Sequence, residues 1–360
     1  MTELSIGHEQ LNDKLNKQLH KLTGRRKQGT IIRIEAHDSD WVWTGATEPL
    51  QPDSPYFIAS TTKLYTSAMV LQLSAQGRIG LHERITVYVD AETMQGLHQY
   101  KGVDYSQELT ITHLLSHTSG LPDYFQHRHP NGRPLQARLT AGDDSGWTFE
   151  QAITWSKTMT PHFAPGTKGK ALYTDTNFQL LGRIVEVVTG KPIGEAMREL
   201  IFEPLQLTHT YMYTDPSDRT PAPMHYKAKP LQIPHAMTSF GADGSIISTA
   251  EECMVFLRAF FEGKLFPLDL LATLYQWNRI FFPLEYGVGL ARFKLPRFMS
   301  PFQPAPELLG HSGLSGAFAF YSPEHRLYLT GTVNEISSPG TSYQLMLQLL
   351  HTCARIIPTR

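Results

Sequence analysis

The sequence predicts an α+β fold: one antiparallel sheet flanked by helices, drawn from both ends of the chain, with a mostly helical segment inserted between them. Three observations carry this. Gly29–Ala36 and Trp41–Thr44 read as paired strands around the polar turn His37-Asp38-Ser39-Asp40. Leu314–Tyr321 and Leu327–Val333 give a second hairpin signal across Ser322-Pro323-Glu324-His325. Between them the apolar residues recur at helical spacing, most clearly over Asn177–Val188 through Phe178, Leu180, Leu181, Ile184, Val185 and Val188.

The elements follow in order. Leu11, Leu15, Leu19 and Leu22 place a helix over residues 8–22, stopped by Gly24. After the first hairpin, the apolar lead-in Phe57-Ile58-Ala59 meets a helical run from about Ser60 to Gly77. Thr110 caps a short helix through His117, closed by Thr118-Ser119-Gly120-Leu121-Pro122. Residues 123–150 are rich in Pro, Gly, Asp and His and read as a long loop, a feature that often carries function; whether it forms a lid stays open. Gly190 and Pro192 stop the helix over 177–188, and residues 212–236 read as irregular. Thr249-Ala250-Glu251-Glu252 is a capping-box pattern opening a helix that ends at Gly263. A final helix covers Ser342–Arg355. The expected organisation is a single catalytic domain over 1–360, with an α/β part about 1–85 and 205–360 and a mostly helical part about 86–204.

The bulk composition narrows the classes. The 360 residues are 41% hydrophobic and 18% charged, enough for a substantial core. Lys and Arg total 32 against 33 Asp and Glu, so no basic excess points to nucleic acid or an anionic membrane. No run of 18 apolar residues predicts a membrane span. The start Met1-Thr2-Glu3-Leu4-Ser5 lacks a basic region and an apolar core of a secretory signal, and two cysteines make no disulfide framework; both point to a cytoplasmic setting. The His113/His117 pair has i, i+4 spacing but lacks the glutamate of a zinc-protease motif, so no metal is expected.

Ser60-Thr61-Thr62-Lys63 is the first chemical signal. If a helix starts near Ser60, Lys63 lies one turn later on the same face, an amine beside a hydroxyl at a helix N-terminus. A serine hydroxyl needs a nearby base and a stabilised oxyanion to act as a nucleophile. Alone, the pattern fits an N-cap serine and a surface lysine as well. Tyr173, entering the apolar helix in Tyr173-Thr174-Asp175, is positioned to present its hydroxyl to a cleft, where a neighbouring cation lowers its pKa. Gly310-His311-Ser312-Gly313-Leu314 reads as an edge strand offering backbone N–H groups, with Gly313 admitting a substrate backbone and His311 binding a carboxylate or relaying a proton. Ser116–Pro122 reads as a structural turn.

In this order the pieces resemble the serine β-lactamase-like superfamily of class C β-lactamases, D-alanyl-D-alanine carboxypeptidases, D-peptidases and esterases. The S-x-x-K motif falls at Ser60–Lys63, a Y-x-N-like motif at Tyr173–Asp175 and an H-x-G form of K-T-G at His311–Gly313. The flanks L-L-S-H-T-S-G-L-P at 114–122, F-A-P-G-T at 163–167, D-G-S-I-I-S-T-A-E at 243–251 and Y-G-V-G-L at 286–290 extend the likeness over about 28–350. The resemblance implies a β-lactamase/transpeptidase-like fold and an acyl-enzyme on Ser60, with Lys63 taking or relaying its proton and Tyr173 as proton shuttle. It also implies an oxyanion hole from the Ser60 and Leu314 amides, no cofactor, and a small-molecule or short-peptide substrate.

Two departures matter. His311 stands where β-lactamases carry lysine; near pKa 6.5 it is partly charged and grips a carboxylate less firmly, more so in acid. Asp175 stands where the family has asparagine; it is expected to pair with Lys63, keep it charged, repel an acylamide carbonyl and favour an amine. The sequence therefore predicts a D-peptidase- or carboxypeptidase-like hydrolase with weak β-lactamase activity at most. A carboxylesterase or acyltransferase of the same fold is the alternative within the class, and a non-turnover β-lactam or peptide sensor the alternative outside it.

Overall fold

A computed structural model describes residues 3–24, 26–130, 132–299, 304–338 and 340–354. Arg355, the last residue of the expected final helix, and Met1-Thr2 of the expected leaderless start lie outside them. Helix α1 (Glu3–Thr23) leads into strands β1 (Thr30–Ala36) and β2 (Val42–Thr47), then a short strand β3 (Tyr56–Phe57). A 3-10 turn at Ala59–Thr61 runs straight into α2 (Thr62–Ala75). The middle of the chain supplies α3 (Ile111–Leu115) and α4 (Asp175–Thr189), among shorter helices. The chain returns through β4 (Tyr211–Met212), β5 (Ile246–Ser248) and α5 (Ala250–Phe261). It closes with β6 (Asn278–Phe281), β7 (Leu284–Tyr286), β8 (Ala291–Phe293), β9 (Leu308–Ser312), β10 (Ala317–Ser322), β11 (Leu327–Thr332) and α6 (Gly340–Ala354).

The main sheet has eight antiparallel strands in the order β6-β7-β8-β9-β10-β11-β1-β2, so both chain ends meet where β1 pairs with β11. Strand periodicity divides its side chains between two layers. Ile32, Ile34, Phe318 and Phe320 face Leu11, Leu15 and Leu19 of α1 and Leu345 and Leu349 of α6. Ile31, Ala317, Ala319 and Tyr328 face the other way, into the larger core built on α2, α4 and α5. That face also holds charge: Arg33 and Glu35 of β1 meet Arg258 and Glu251 of α5.

Several local expectations change. The G-H-S-G segment does not open the hairpin as an edge strand. Leu308–Ser312 is a separate strand paired on both sides, with β8 and β10, and residues 313–316 form the turn after it. The sequence shows no strong signal for β6, β7 and β8, which are three or four residues each, and these strands remove the edge. The capping box at α5 is half formed: Thr249 accepts from the Glu252 amide, while Glu252 turns away to accept from the amides of Thr208 and His209. Complete boxes form instead between Thr110 and His113 at α3 and between Thr148 and Gln151 at the helix Phe149–Lys157. Residues 212–236 contain a small hairpin, His225–Tyr226 with Lys229–Pro230.

Candidate active site

Ser60 sits in the 3-10 turn that feeds α2, one residue after Ala59, which holds a left-handed φ of 46°. A non-glycine residue there is strained by about 1 kcal/mol. Lys63 lies in the first turn of α2 and is fully buried. Its Nζ donates to Ser60 Oγ at 3.2 Å and to the Asp243 carbonyl at 2.8 Å, and forms an ion pair with Asp175 Oδ1 at 2.6 Å. Burial alone draws the amine's pKa down, but the charges of Asp175 and Asp243 outweigh it and leave Lys63 above its ordinary value. The expected Lys63–Asp175 pair is present, and Lys63 is an ammonium.

Tyr173 and Asp175 are placed by the start of α4. Thr174 caps the helix by accepting from the Thr176 amide. This helix start is sewn to the 116–125 segment. His117 Nδ1 accepts from the Thr174 amide and from Asn177, and Ser119 donates to Asn177. Thr176 donates to the Pro122 carbonyl, and Asp123 Oδ1 accepts from the Asp175 amide. The His117 ring lies 4.6 Å from the Tyr173 ring, centroid to centroid. Lys63 Nζ stands 5.3 Å from the Tyr173 centroid. The expected fall in the Tyr173 pKa does not occur: desolvation and the Asp175 charge push it well above 10, and a hydrogen bond with Ser60 only partly offsets them. Tyr173 is a neutral phenol.

His311 faces the same centre from β9, its ring 6.2 Å from Tyr173 and 5.6 Å from Tyr286. Its Nδ1–H donates to the Ser312 carbonyl at 2.8 Å, leaving Nε2 as an unpaired acceptor among the described residues. Burial, aided by Lys63, pushes its pKa down to about 3. The expected half-charged histidine is thus a neutral one, and it supplies no cation for a substrate carboxylate at ordinary pH. Gly313 also serves a different end from the one expected. A Cβ there would stand 2.3 Å from the Ile58 carbonyl oxygen and 3.0 Å from Ala59 Cβ. The close approach is to the chain's own turn before Ser60. Ser315 completes the lock by donating to the Phe57 carbonyl at 2.7 Å. Leu314 is held between these two contacts, and with Ser60 it lines one pocket.

Asp123, Asp243 and His117 are site residues that sequence reasoning missed as such. Asp243, 1% exposed, lies in the turn before β5; its Oδ2 accepts from Tyr124 at 2.9 Å and Gln179 at 3.0 Å. Burial and the Asp175 charge push its pKa up to about 8. The same two causes raise Asp123. Burial holds His117 well below its usual value, so it is neutral. The available signal was an aspartate between apolar or small neighbours, in L-P-D-Y and G-A-D-G. The 123–150 segment contributes Phe125, Gln136, Leu139 and Thr140 to the pocket wall.

Comparison with known proteins places this arrangement. The family model described as Beta-lactamase matches residues 34–345, and the chain belongs to that family. Its fold is the β-lactamase/transpeptidase-like fold of serine-hydrolase type. A D-stereospecific amidohydrolase from Streptomyces sp. is similar at 25% identity with a TM-score of 0.76, over 92% of this chain and 97% of that one. The D-amino acid amidase from Ochrobactrum anthropi SV3 shares the fold at a TM-score of 0.78 and 19% identity, over 96% and 99%. A putative D-alanyl-D-alanine carboxypeptidase of Escherichia coli (strain K12) is 35% identical over 156 residues, 43% of this chain and 33% of that protein. The match therefore spans about a third of the length of that relative. Among the described residues no helix is long and apolar enough to cross a membrane.

Proposed function

We propose that the protein is a serine hydrolase that acylates Ser60, acting on a small peptide, amide or ester of a D-amino acid. The observation that carries this reading is the buried Lys63 ammonium donating to Ser60 Oγ while Asp175 and the Asp243 carbonyl hold it in place. Similarity to a D-stereospecific amidohydrolase supports the substrate class.

Because Lys63 is already protonated and Tyr173 is neutral, the proton path runs through the phenol. Ser60 Oγ forms a bond to the substrate carbonyl carbon and passes its proton to Tyr173 Oη. Tyr173 gives its own proton to the leaving nitrogen or oxygen as the bond to carbon breaks. Water reverses the path, and Ser60 recovers its proton when the acid is released. Tyr173 accepts one proton and gives one, so no phenolate is needed, and Lys63 stabilises the negative charge that develops on Ser60. The Ser60 and Leu314 amides would receive the carbonyl oxygen. Weak β-lactamase activity follows from two residues: ionised Asp175 cannot donate to an acylamide carbonyl, and neutral His311 offers no charge to the β-lactam carboxylate.

Intact-mass measurement after exposure to a fluorophosphonate tests the reading. One adduct is expected on the wild type and none on Ser60→Ala; an unlabelled wild type overturns it. Continued release of product from p-nitrophenyl esters separates an enzyme from a sensor that stops after one stoichiometric burst.

A further inference from the structure

The pocket beside Ser60 is nearly all apolar. Phe125, Leu139, Ile233, Met237, Phe240 and Leu314 are among its walls, and it holds about 520 Å³ of free space, its open mouth included. Among the described residues lining it, Asp175 and Asp243 are the ones that carry a carboxyl group. Asp175 is engaged by Lys63. Asp243 is not used up in this way. Its Oδ2 is satisfied by Tyr124 and Gln179, but Oδ1, on a side chain that is 1% exposed, has no hydrogen-bond partner. A buried carboxylate oxygen left open costs more than it contributes to folding. Its place in an apolar pocket next to the nucleophile points to a ligand group.

We propose that Asp243 is the specificity residue for a free α-amine on the acyl portion of the substrate, so that the pocket selects α-aminoacyl amides or esters with a bulky apolar side chain. The inference rests on the hydrolase reading of Ser60. The amine of an α-aminoacyl group stands two bonds from the carbonyl carbon that Ser60 attacks, and Ser60 and Asp243 line the same pocket. Charge balance argues the same way. One lysine faces two pocket carboxylates, and Lys63 with Asp175 is already neutral. An ionised Asp243 is one negative charge in surplus, which a substrate ammonium cancels. In the empty site the surplus is removed by a proton: burial and Asp175 hold Asp243 protonated at neutral pH against the opposing effect of Lys63, Gln179 and Tyr124. Asp123, the third buried carboxylate, lies behind Asp175, accepts from its amide and does not line the pocket. An N-acyl group in place of the amine removes the cation and brings a carbonyl oxygen toward two carboxyl groups.

Competition against fluorophosphonate labelling of Ser60 tests this without requiring turnover. The competitors are phenylalaninamide, N-acetylphenylalaninamide and 3-phenylpropanamide, the first two as both enantiomers. Phenylalaninamide of one hand is expected to halve the labelling rate at a concentration at least tenfold below that needed for the other two. Asp243→Asn is expected to reduce that advantage at least fivefold. If the wild type labels but the three competitors protect within a factor of three of one another, the amine subsite is wrong and the hydrolase reading stands. An unchanged advantage in Asp243→Asn removes the role of that residue. If wild-type Ser60 takes no label, the hydrolase reading fails and this inference with it. Should Asp243→Asn not fold, the order of the competitors on the wild type decides the question.

Discussion

On the proposed reading, Lys63 decides how protons move at this site. It is buried, yet the Asp175 carboxylate keeps it charged, so it donates to Ser60 rather than accepting from it. In the proposed mechanism the Ser60 proton is carried by a hydroxyl that both accepts and donates, and we assign that role to Tyr173, on which Ser60 acts through a hydrogen bond. Its raised pKa suits a relay, because a neutral phenol returns to its starting state after each transfer. Tyr173→Phe keeps the ring packed against His117 and removes only the oxygen. It is expected to lower kcat for an amide or ester substrate by about 10²–10⁴ with the fold retained by circular dichroism. Activity within threefold of the wild type would remove the relay. His311, neutral down to about pH 3, is expected to leave no inflection between pH 5 and 8 in the rate profile.

At the scale of elements, the site is a meeting of three separately folded pieces. The turn into α2 brings Ser60 and Lys63, the start of α4 brings Tyr173 and Asp175, and the turn after β9 brings Leu314. Gly313 sets how closely the last piece approaches the first. In Gly313→Ala the new methyl meets the Ile58 carbonyl, which is backbone and cannot swing away, so the β9–β10 turn must retreat. If the Leu314 amide receives the carbonyl oxygen as proposed, it then loses that alignment. The expected result is a loss of about 10²–10³ in kcat, measured on the same substrate, with little change in KM. Full activity would show that this turn does not bear on the oxyanion. The three pieces were legible in sequence because each is a local pattern: Ser60 with Lys63, Tyr173 with Asp175, His311 with Gly313. What was not legible depends on distant packing. Asp243 and Asp123 are single aspartates in ordinary turns, and only folding sets them around Lys63. The pKa directions of Tyr173 and His311 came out opposite to expectation or more extreme for the same reason: burial is the largest cause in both, the nearest charge adds to it, and burial is not written locally. The strands over 278–293 are too short to show a period, so the position of β9 inside the sheet was hidden.

Across the whole molecule these buried groups set a pH dependence of stability whose sign changes with range. Asp243 titrates at about 8 when folded and near 3.9 when unfolded. Between those values it binds a proton only in the folded state, so the folded state gains as pH falls. His311 titrates at about 3 when folded and near 6.5 when unfolded. Between those values the unfolded state binds the proton, so stability is lost as pH falls; His98, His113, His117, His127, His162 and His225, also held low, act in the same direction. From pH 9 to 7.5 the histidines are neutral in both states, and of these groups only the aspartates act. One proton held only in the folded state is worth about 1.4 kcal/mol per pH unit, and Asp243 takes up its proton gradually across that window, so it contributes about 1 kcal/mol there. The chain's formal net charge of −1 keeps general charge repulsion small there. Below about pH 7.5 the seven histidines oppose Asp243 and Asp123, and the curve turns over. Below about pH 4 the aspartates protonate in the unfolded chain as well, their advantage stops growing, and the histidines carry stability steeply down. Thermal unfolding from pH 3 to 9 is therefore expected to show Tm rising as pH drops from 9 to 7.5, a maximum, and then a fall that steepens in acid. In Asp243→Asn the rise from pH 9 to 7.5 shrinks while the acid collapse stays. A wild-type Tm that instead climbs between pH 7.5 and 9 would mean that Asp243 is ionised in the empty site. The pocket would then carry a standing negative charge, rather than one that appears only when a cationic group enters.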